Sequence, residues 1–349
     1  LAEGENKRIH GEHMIGWMIR AGTKGVLFDK FVDEGIASIG WRDLGAILPE
    51  DTVETLREKV AKQWPDWHPN RVIMSAGQLH RFAKVIQTND YIVTYDPSQR
   101  IYKIGKSKGG YRFNDSFEHD DHGNIISVDW TLEVARDDLL PRTKNSLGAI
   151  STLFKIPDHA MRDLLDTSAG EPPVGKSVEP RDNENDTEDD IAFTLEAIET
   201  RAADIIADKL VRLSWEDMQE VVAGVLRGMG YKTDVSPKGP DRGKDIIASP
   251  DGLGFSDPRI IVEVKHRAST SMGASEIRAF LGGRQDGDKC LYVSTGGFTK
   301  EARYEAERSR YPLKLLTLSE LTELILADYE ALDAKTRELI PLTRIYWPN

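Results

Sequence analysis

The sequence has a single cysteine, Cys290, which excludes an intrachain disulfide and any zinc site built from several cysteines. Cys290 sits in the apolar run Cys290-Leu291-Tyr292-Val293 and reads as a small buried core residue. No stretch approaches the roughly 18 apolar residues that a bilayer span needs. Residues 1–13 are polar and lack the apolar centre of a secretory signal; they read as a disordered arm or a cloning remnant ahead of Met14. A reducing cytoplasm is the expected compartment. Internal repeats are absent. Positive charge is also in deficit, with a net charge of −12. Half of that excess lies between residues 167 and 192, where eight Asp/Glu face two Lys/Arg. Phosphate binding needs local basic patches rather than a basic total, so the balance does not exclude a nucleic-acid partner.

At 349 residues the chain is too long for one ordinary core, and two domains are expected. Residues 167–192 are polar, contain Pro and Gly, and cannot bury enough surface to offset their conformational entropy. They read as an acidic flexible linker between domains at 14–166 and 193–349. In the first domain, 17–20, 36–41, 90–95, 101–105 and 125–134 read as strands. Residues 52–63 read as a helix capped by Thr52. Asp96-Pro97-Ser98-Gln99 reads as a hairpin turn. In the second domain, apolar residues fall at helical spacing over 195–210 and again after Ser214, a helix cap. Strands are expected at 245–248, 259–265, 290–295 and 313–318. Helices are expected at 275–281 and 299–308, with a last one capped by Ser319. This alternation implies an α/β domain with helices packed over a central sheet.

The informative segment is Gly239-Pro240-Asp241-Arg242-Gly243-Lys244-Asp245, followed after seventeen residues by Glu263-Val264-Lys265. On a strand, Glu263 and Lys265 share one face and Val262 and Val264 the other. Charges interrupting an apolar strand need partners. Phosphodiester hydrolysis supplies a reason for them. Two carboxylates, Asp245 and Glu263, can hold Mg2+, and Lys265 can position or deprotonate the attacking water. An acidic residue, a spacer and a lysine recur by chance in most proteins of this size. The preceding helix, the Gly-rich approach and the apolar strand carry the reading beyond spacing.

As an ordered set, 214–324 resembles the Mrr-like restriction endonuclease domain of the PD-(D/E)xK nuclease superfamily. The carrying residues are Met229-Gly230-Tyr231, the loop delivering Asp245, Glu263-Val264-Lys265, Ile277-Arg278, Ser294-Thr295-Gly296-Gly297-Phe298-Thr299, the Ala302/Ala306 helix and Ser319-Glu320-Leu321. The resemblance implies a mixed central sheet flanked by helices, Asp245 and Glu263 as metal ligands, and Lys265 as the water-activating residue. Mg2+ is the implied cofactor, with Mn2+ as a substitute. Asp241 and Gln219 are supporting residues. Many members carry Glu on the first helix where this chain has Gln219, with Glu216 and Glu220 nearby.

More loosely, 14–166 resembles the EVE/PUA-like modules, small α+β β-barrels that accept a flipped base. The resemblance rests on Trp17-Met18-Ile19-Arg20, Asn89 to Tyr95, Ile101 to Lys106 and Tyr111. Reading a modified base requires aromatic stacking and hydrogen bonds to its polar edge. The pocket candidates are Trp17, Trp41, Ser75, Gln78, Tyr91, Tyr95 and Asp96, although most aromatics of such a domain fill its core. Ser75 and Gln78 read equally as a helix start, and Asp96 as a turn residue. Arg71, Arg81, Lys84, Arg100, Lys103, Lys106 and Lys108 could face phosphates. His119-Asp120-Asp121-His122 reads as a solvated loop, and His266 as structural.

The expectation is a Mg2+-dependent restriction endonuclease acting on double-stranded DNA that carries a modified base. It would cut both strands as a homodimer or by pairing on DNA. The alternatives are an anti-phage effector nuclease whose first domain senses a small signal or a partner, and a non-catalytic DNA-binding protein.

Overall fold

The computed structural model describes residues 14–117, 119, 121–149, 151–170, 195–236 and 245–345. Residues 1–13, most of the acidic segment and the loop bearing Asp241 lie outside the described residues. The chain divides into two compact units.

The first unit holds β1 (Gly16–Ile19), α1 (Phe28–Glu34), β2 (Ile36–Ile39), α2 (Val53–Gln63), α3 (Pro69–His80), β3 (Tyr91–Asp96), β4 (Ile101–Phe113), β5 (Asn124–Ala135), α4 (Pro141–Leu147), β6 (Leu153–Ile156) and α5 (Asp158–Ser168). Helix α2 starts where Thr52 and Thr55 exchange side-chain and backbone hydrogen bonds, and it buries Leu56 and Val60, one turn apart. Helix α3 opens on Pro69, whose missing N–H costs nothing at that position, and buries Val72, Ala76 and Leu79. The six strands run in the order β2-β5-β4-β3-β1-β6. Strand β1 pairs parallel with β3 and antiparallel with β6.

This sheet corrects the expected β-barrel. Its order begins at β2 and ends at β6, and no pairing among the described residues joins these edges. Three further corrections are local. The strand expected over 36–41 stops at Ile39, because Trp41 adopts φ 63°, ψ 35°, a left-handed conformation costly for a bulky residue. Helix α5 continues through Ser168, so the first residues assigned to the linker are helical. Ser75 and Gln78 lie inside α3 rather than at its start.

The second unit comprises 193–349 with the short segments 96–101 and 135–138. Its elements are α6 (Leu195–Val211), α7 (Trp215–Gly228), β7 (Lys232–Val235), β8 (Ile246–Ser249), β9 (Ile260–Lys265), α8 (Ala274–Leu281), β10 (Lys289–Ser294), α9 (Lys300–Glu307), β11 (Leu313–Thr317), α10 (Leu318–Ala327) and α11 (Ala334–Leu339). The sheet is mixed, in the order β11-β10-β9-β8-β7. Strands β9, β10 and β11 run parallel, while β7, β8 and β9 pair antiparallel. Helices cover both faces. On one face Ile246, Ala248, Val262, Val264, Val293 and Leu316 pack against α6, α7 and α10. On the other, Ile261, Cys290 and Tyr292 pack against Ile277 and Phe280 of α8 and Ala302 of α9. The period-2 alternation of β9 and β10 is therefore divided cleanly between two cores. The cap of α10 is Thr317, not Ser319: Thr317 Oγ1 accepts the Glu320 N–H and the Glu320 carboxylate accepts the Thr317 N–H.

Candidate active site

Strand β9 places Glu263 and Lys265 on the face occupied by Ile261, away from Val262 and Val264. Asp245 immediately precedes β8. Its backbone N–H donates to Val262 O at 2.9 Å. Its carboxylate Oδ2 accepts the Val264 N–H at 2.6 Å. Asp245 is thus fastened to both neighbours of Glu263. The two carboxylate residues are 5% and 7% exposed, so each is held largely out of water. The Lys265 ammonium pairs with Glu263 Oε1 while its side chain stays a third exposed. The corner is therefore buried at its acidic end and open at its cationic end.

Tyr292 reports the local field. It lies opposite Glu263 in the parallel β9–β10 register. Burial, then the negative charges of Glu263, Glu276 and Asp245, pushes its phenol far above the ordinary range. Glu263 on β9, Asp245 just before β8 and Glu276 in the first turn of α8 each add negative charge near this phenol. Sequence reasoning missed Tyr292 and Glu276. Tyr292 read as an apolar strand residue, and only strand register sets it beside Glu263.

The donor chemistry fits a hard cation. Asp245 and Glu263 offer oxygen only, and among the described residues no three His, Cys, Asp or Glu groups converge as metal donors. A cation bound here would keep much of its water shell, as Mg2+ does.

Gln219 is buried on α7, which packs on the Val262/Val264 face, and its Nε2 has no hydrogen-bond partner among the described residues. No described contact joins it to the carboxylates. Asp241 lies outside the described residues. His266 Nε2 contacts Leu213 O at 2.9 Å, on the face opposite Lys265.

The base-pocket candidates separate in the first unit. Trp17 is buried and donates to Asp90. Ser75 and Gln78 are buried in α3, and Gln78 Oε1 accepts the Leu153 N–H. Tyr95 stacks on Tyr102 in the core. Asp96 closes its turn by accepting from Ser98 N and Gln99 Nε2. All five are buried, and the printed polar contacts of Trp17, Gln78 and Asp96 are to Asp90, the Leu153 N–H and the 96–99 turn. Tyr91 is half-buried beneath the Lys106 ammonium. Trp41 is half-buried with a left-handed backbone, and its N–H donates to Asp121 Oδ1. In the 119–122 segment, His122 Nδ1 meets Ser38 Oγ at 2.8 Å, and burial holds its imidazole down at about 4.

A mixed sheet between helical layers carries Asp245, Glu263 and Lys265 at one corner. Residues 210–325 match the family described as Restriction endonuclease (Mrr_cat), and this part of the chain carries an Mrr-like restriction endonuclease domain. Residues 17–157 match a domain of unknown function (DUF8426). The uncharacterized protein y4cE of Sinorhizobium fredii (strain NBRC 101917 / NGR234) is 32% identical over 130 residues, 35% of this chain and 32% of that protein. The chain therefore spans about a third of that relative's length. Among solved structures, the MspJI restriction endonuclease in complex with a 27-mer oligonucleotide is similar at 14% identity and TM-score 0.28, over 88% of this chain and 74% of that one. The DNA modification-dependent restriction endonuclease AspBHI is similar at 14% identity and TM-score 0.30, over 87% and 78%. Likeness that loose carries neither fold nor function across. Among the described residues no helix is long and apolar enough to cross a membrane.

Proposed function

We propose that this protein is a Mg2+-dependent endonuclease that hydrolyses phosphodiester bonds of double-stranded DNA at Asp245, Glu263 and Lys265, and that its first unit reads a modified base. The carrying observation is the attachment of Asp245 to both neighbours of Glu263, beside the Glu263–Lys265 ion pair. A divalent cation held by Asp245 and Glu263 would acidify a water and neutralise charge on the phosphoryl oxygens. Asp245 is kept in orientation by the Val264 N–H, so its carboxylate needs little reorganisation on binding. Lys265, the exposed member, presents its ammonium where phosphate approaches and stabilises the charged transition state. Duplex cleavage by a domain with one such site calls for two copies acting together.

The reader rests on Trp41. A non-glycine residue held left-handed costs free energy and persists only when its surroundings enforce it, a pattern common at ligand sites. Here Asp121 Oδ1 accepts the Trp41 N–H.

The test is cleavage of matched plasmids, with and without cytosine modification, in Mg2+. Cutting of the modified plasmid alone, abolished by Lys265→Ala, is the expected result. Equal cutting of both plasmids overturns the reader. No cutting under any condition, with Lys265→Ala indistinguishable from wild type, overturns the enzyme.

A further inference from the structure

Ser294 ends β10 in register with Lys265 of β9. Its side chain lies on the Tyr292 side of the strand, because Val293 belongs to the opposite core. It therefore shares the face of Glu263 and Lys265. The residue is 0% exposed, and its Oγ has no hydrogen-bond partner among the described residues. A buried hydroxyl left without a partner lowers stability, so folding alone does not account for a serine here. Its neighbour on the other side, Thr317 of β11, is committed to Glu320 as the cap of α10. Lys265 is the remaining lateral neighbour, and its ammonium is held by Glu263.

That ion pair conflicts with metal binding. A cation that claims the Glu263 carboxylate weakens the hold on the Lys265 ammonium, which then needs another acceptor near the site. Adjacent strands lie about 4.8 Å apart, and lysine carries its charge on a flexible four-carbon stem. We propose that Ser294 is a positioning residue, whose hydroxyl accepts the Lys265 ammonium when a divalent cation occupies Glu263. Ser294 Oγ has no partner among the described residues while the Lys265 ammonium pairs with Glu263. This inference rests on the metal-dependent reading of the site given above.

The test uses the full chain without DNA and reads Mn2+ binding by titration calorimetry, with melting temperature measured in parallel. Ser294→Ala is expected to weaken Mn2+ binding by roughly tenfold or more, the worth of one hydrogen bond to a charged group. Its melting temperature should hold or rise, since an unsatisfied buried hydroxyl is gone. Ser294→Thr, which restores the hydroxyl, should restore binding. In a Lys265→Ala background, Ser294→Ala should have no further effect. Wild-type affinity in Ser294→Ala, or an undiminished effect without Lys265, overturns the positioning role and leaves the metal site standing. Absence of Mn2+ binding in wild type, with Glu263→Gln unchanged from it, overturns the metal site and the inference together.

Discussion

Asp245 is hydrogen-bonded to both neighbours of Glu263, through its own N–H to Val262 O and through its carboxylate from Val264 N–H. Two acidic residues separated by seventeen positions thus share one stretch of β9. Charge removal at this corner should therefore act on chemistry more than on folding. Asp245→Asn, Glu263→Gln and Lys265→Ala are each expected to lower Mg2+-dependent plasmid cleavage by about a hundredfold or more, the scale of losing one transition-state contact. Circular dichroism should stay unchanged. Retention of wild-type cleavage by any of the three removes that residue from the site.

Asp208 of α6 binds Arg100 and Arg136 within the second unit, and both guanidinium side chains are 2% exposed or less. Burial alone would raise its carboxyl, but hydrogen bonds and charge from Arg136 and Arg100 bring it down to about 2. Asp208→Asn leaves buried cations short of a counter-charge and is expected to cost about 3–5 kcal/mol. A large fall in the urea midpoint would show it. Because the folded carboxyl lies below its unfolded value near 3.8, its contribution is complete above that pH and disappears as pH falls through about 2.

His122 gives the first unit a milder acid sensitivity. Burial, then the neighbouring charges of His119 and Arg42, holds its imidazole near 4 against an ordinary 6.5. The folded state binds the proton less readily than the unfolded chain, so stability is full above about 6.5 and declines as pH drops toward 4. His122→Asn should flatten the dependence of melting temperature on pH between these values. A variant curve that parallels wild type would exclude this group as the cause.

Asp251 fastens the β8–β9 loop. Its carboxylate accepts from Ser249 Oγ and from the backbone N–H groups of Leu253, Gly254, Phe255 and Ser256. The loop holds Leu253 and Phe255 at 73% and 87% exposure. Phe255 is thus accessible to chymotrypsin but fixed against the extended conformation that cleavage requires. Asp251→Ala should be cut after Phe255 much faster than wild type in limited proteolysis. Equal rates would mean the carboxylate does not set the loop's rigidity.

The extent to which sequence anticipates structure differs between the units. In the second, local patterns were sufficient for most elements. Ser214 caps α7, Thr299 caps α9, and the Val262/Val264 alternation marks β9. Where two caps competed before α10, the choice fell to Thr317 because Glu320 stands three residues on to reciprocate. In the first unit the strands were legible but their partners were not. The parallel pairing of β1 with β3 joins residues 75 apart in the chain, from Gly16 to Tyr91, and no local period encodes it.

The sequence by itself determined which strand carries Glu263 and Lys265, because a period of two allows a charged face only when the other face is apolar. The polar segment between apolar-patterned regions raised the expectation of two domains, but nothing in it foretold that 96–101 and 135–138 join the second unit. Only the tertiary structure decided that Asp245 reaches that strand, that Tyr292 and Ser294 lie beside it, and that Trp17, Gln78 and Tyr95 are buried while Trp41 stays half-exposed. These outcomes depend on strand register and on contacts between residues far apart in the chain. The free energy of such contacts comes from burial and hydrogen bonding in three dimensions, which composition and periodicity do not specify.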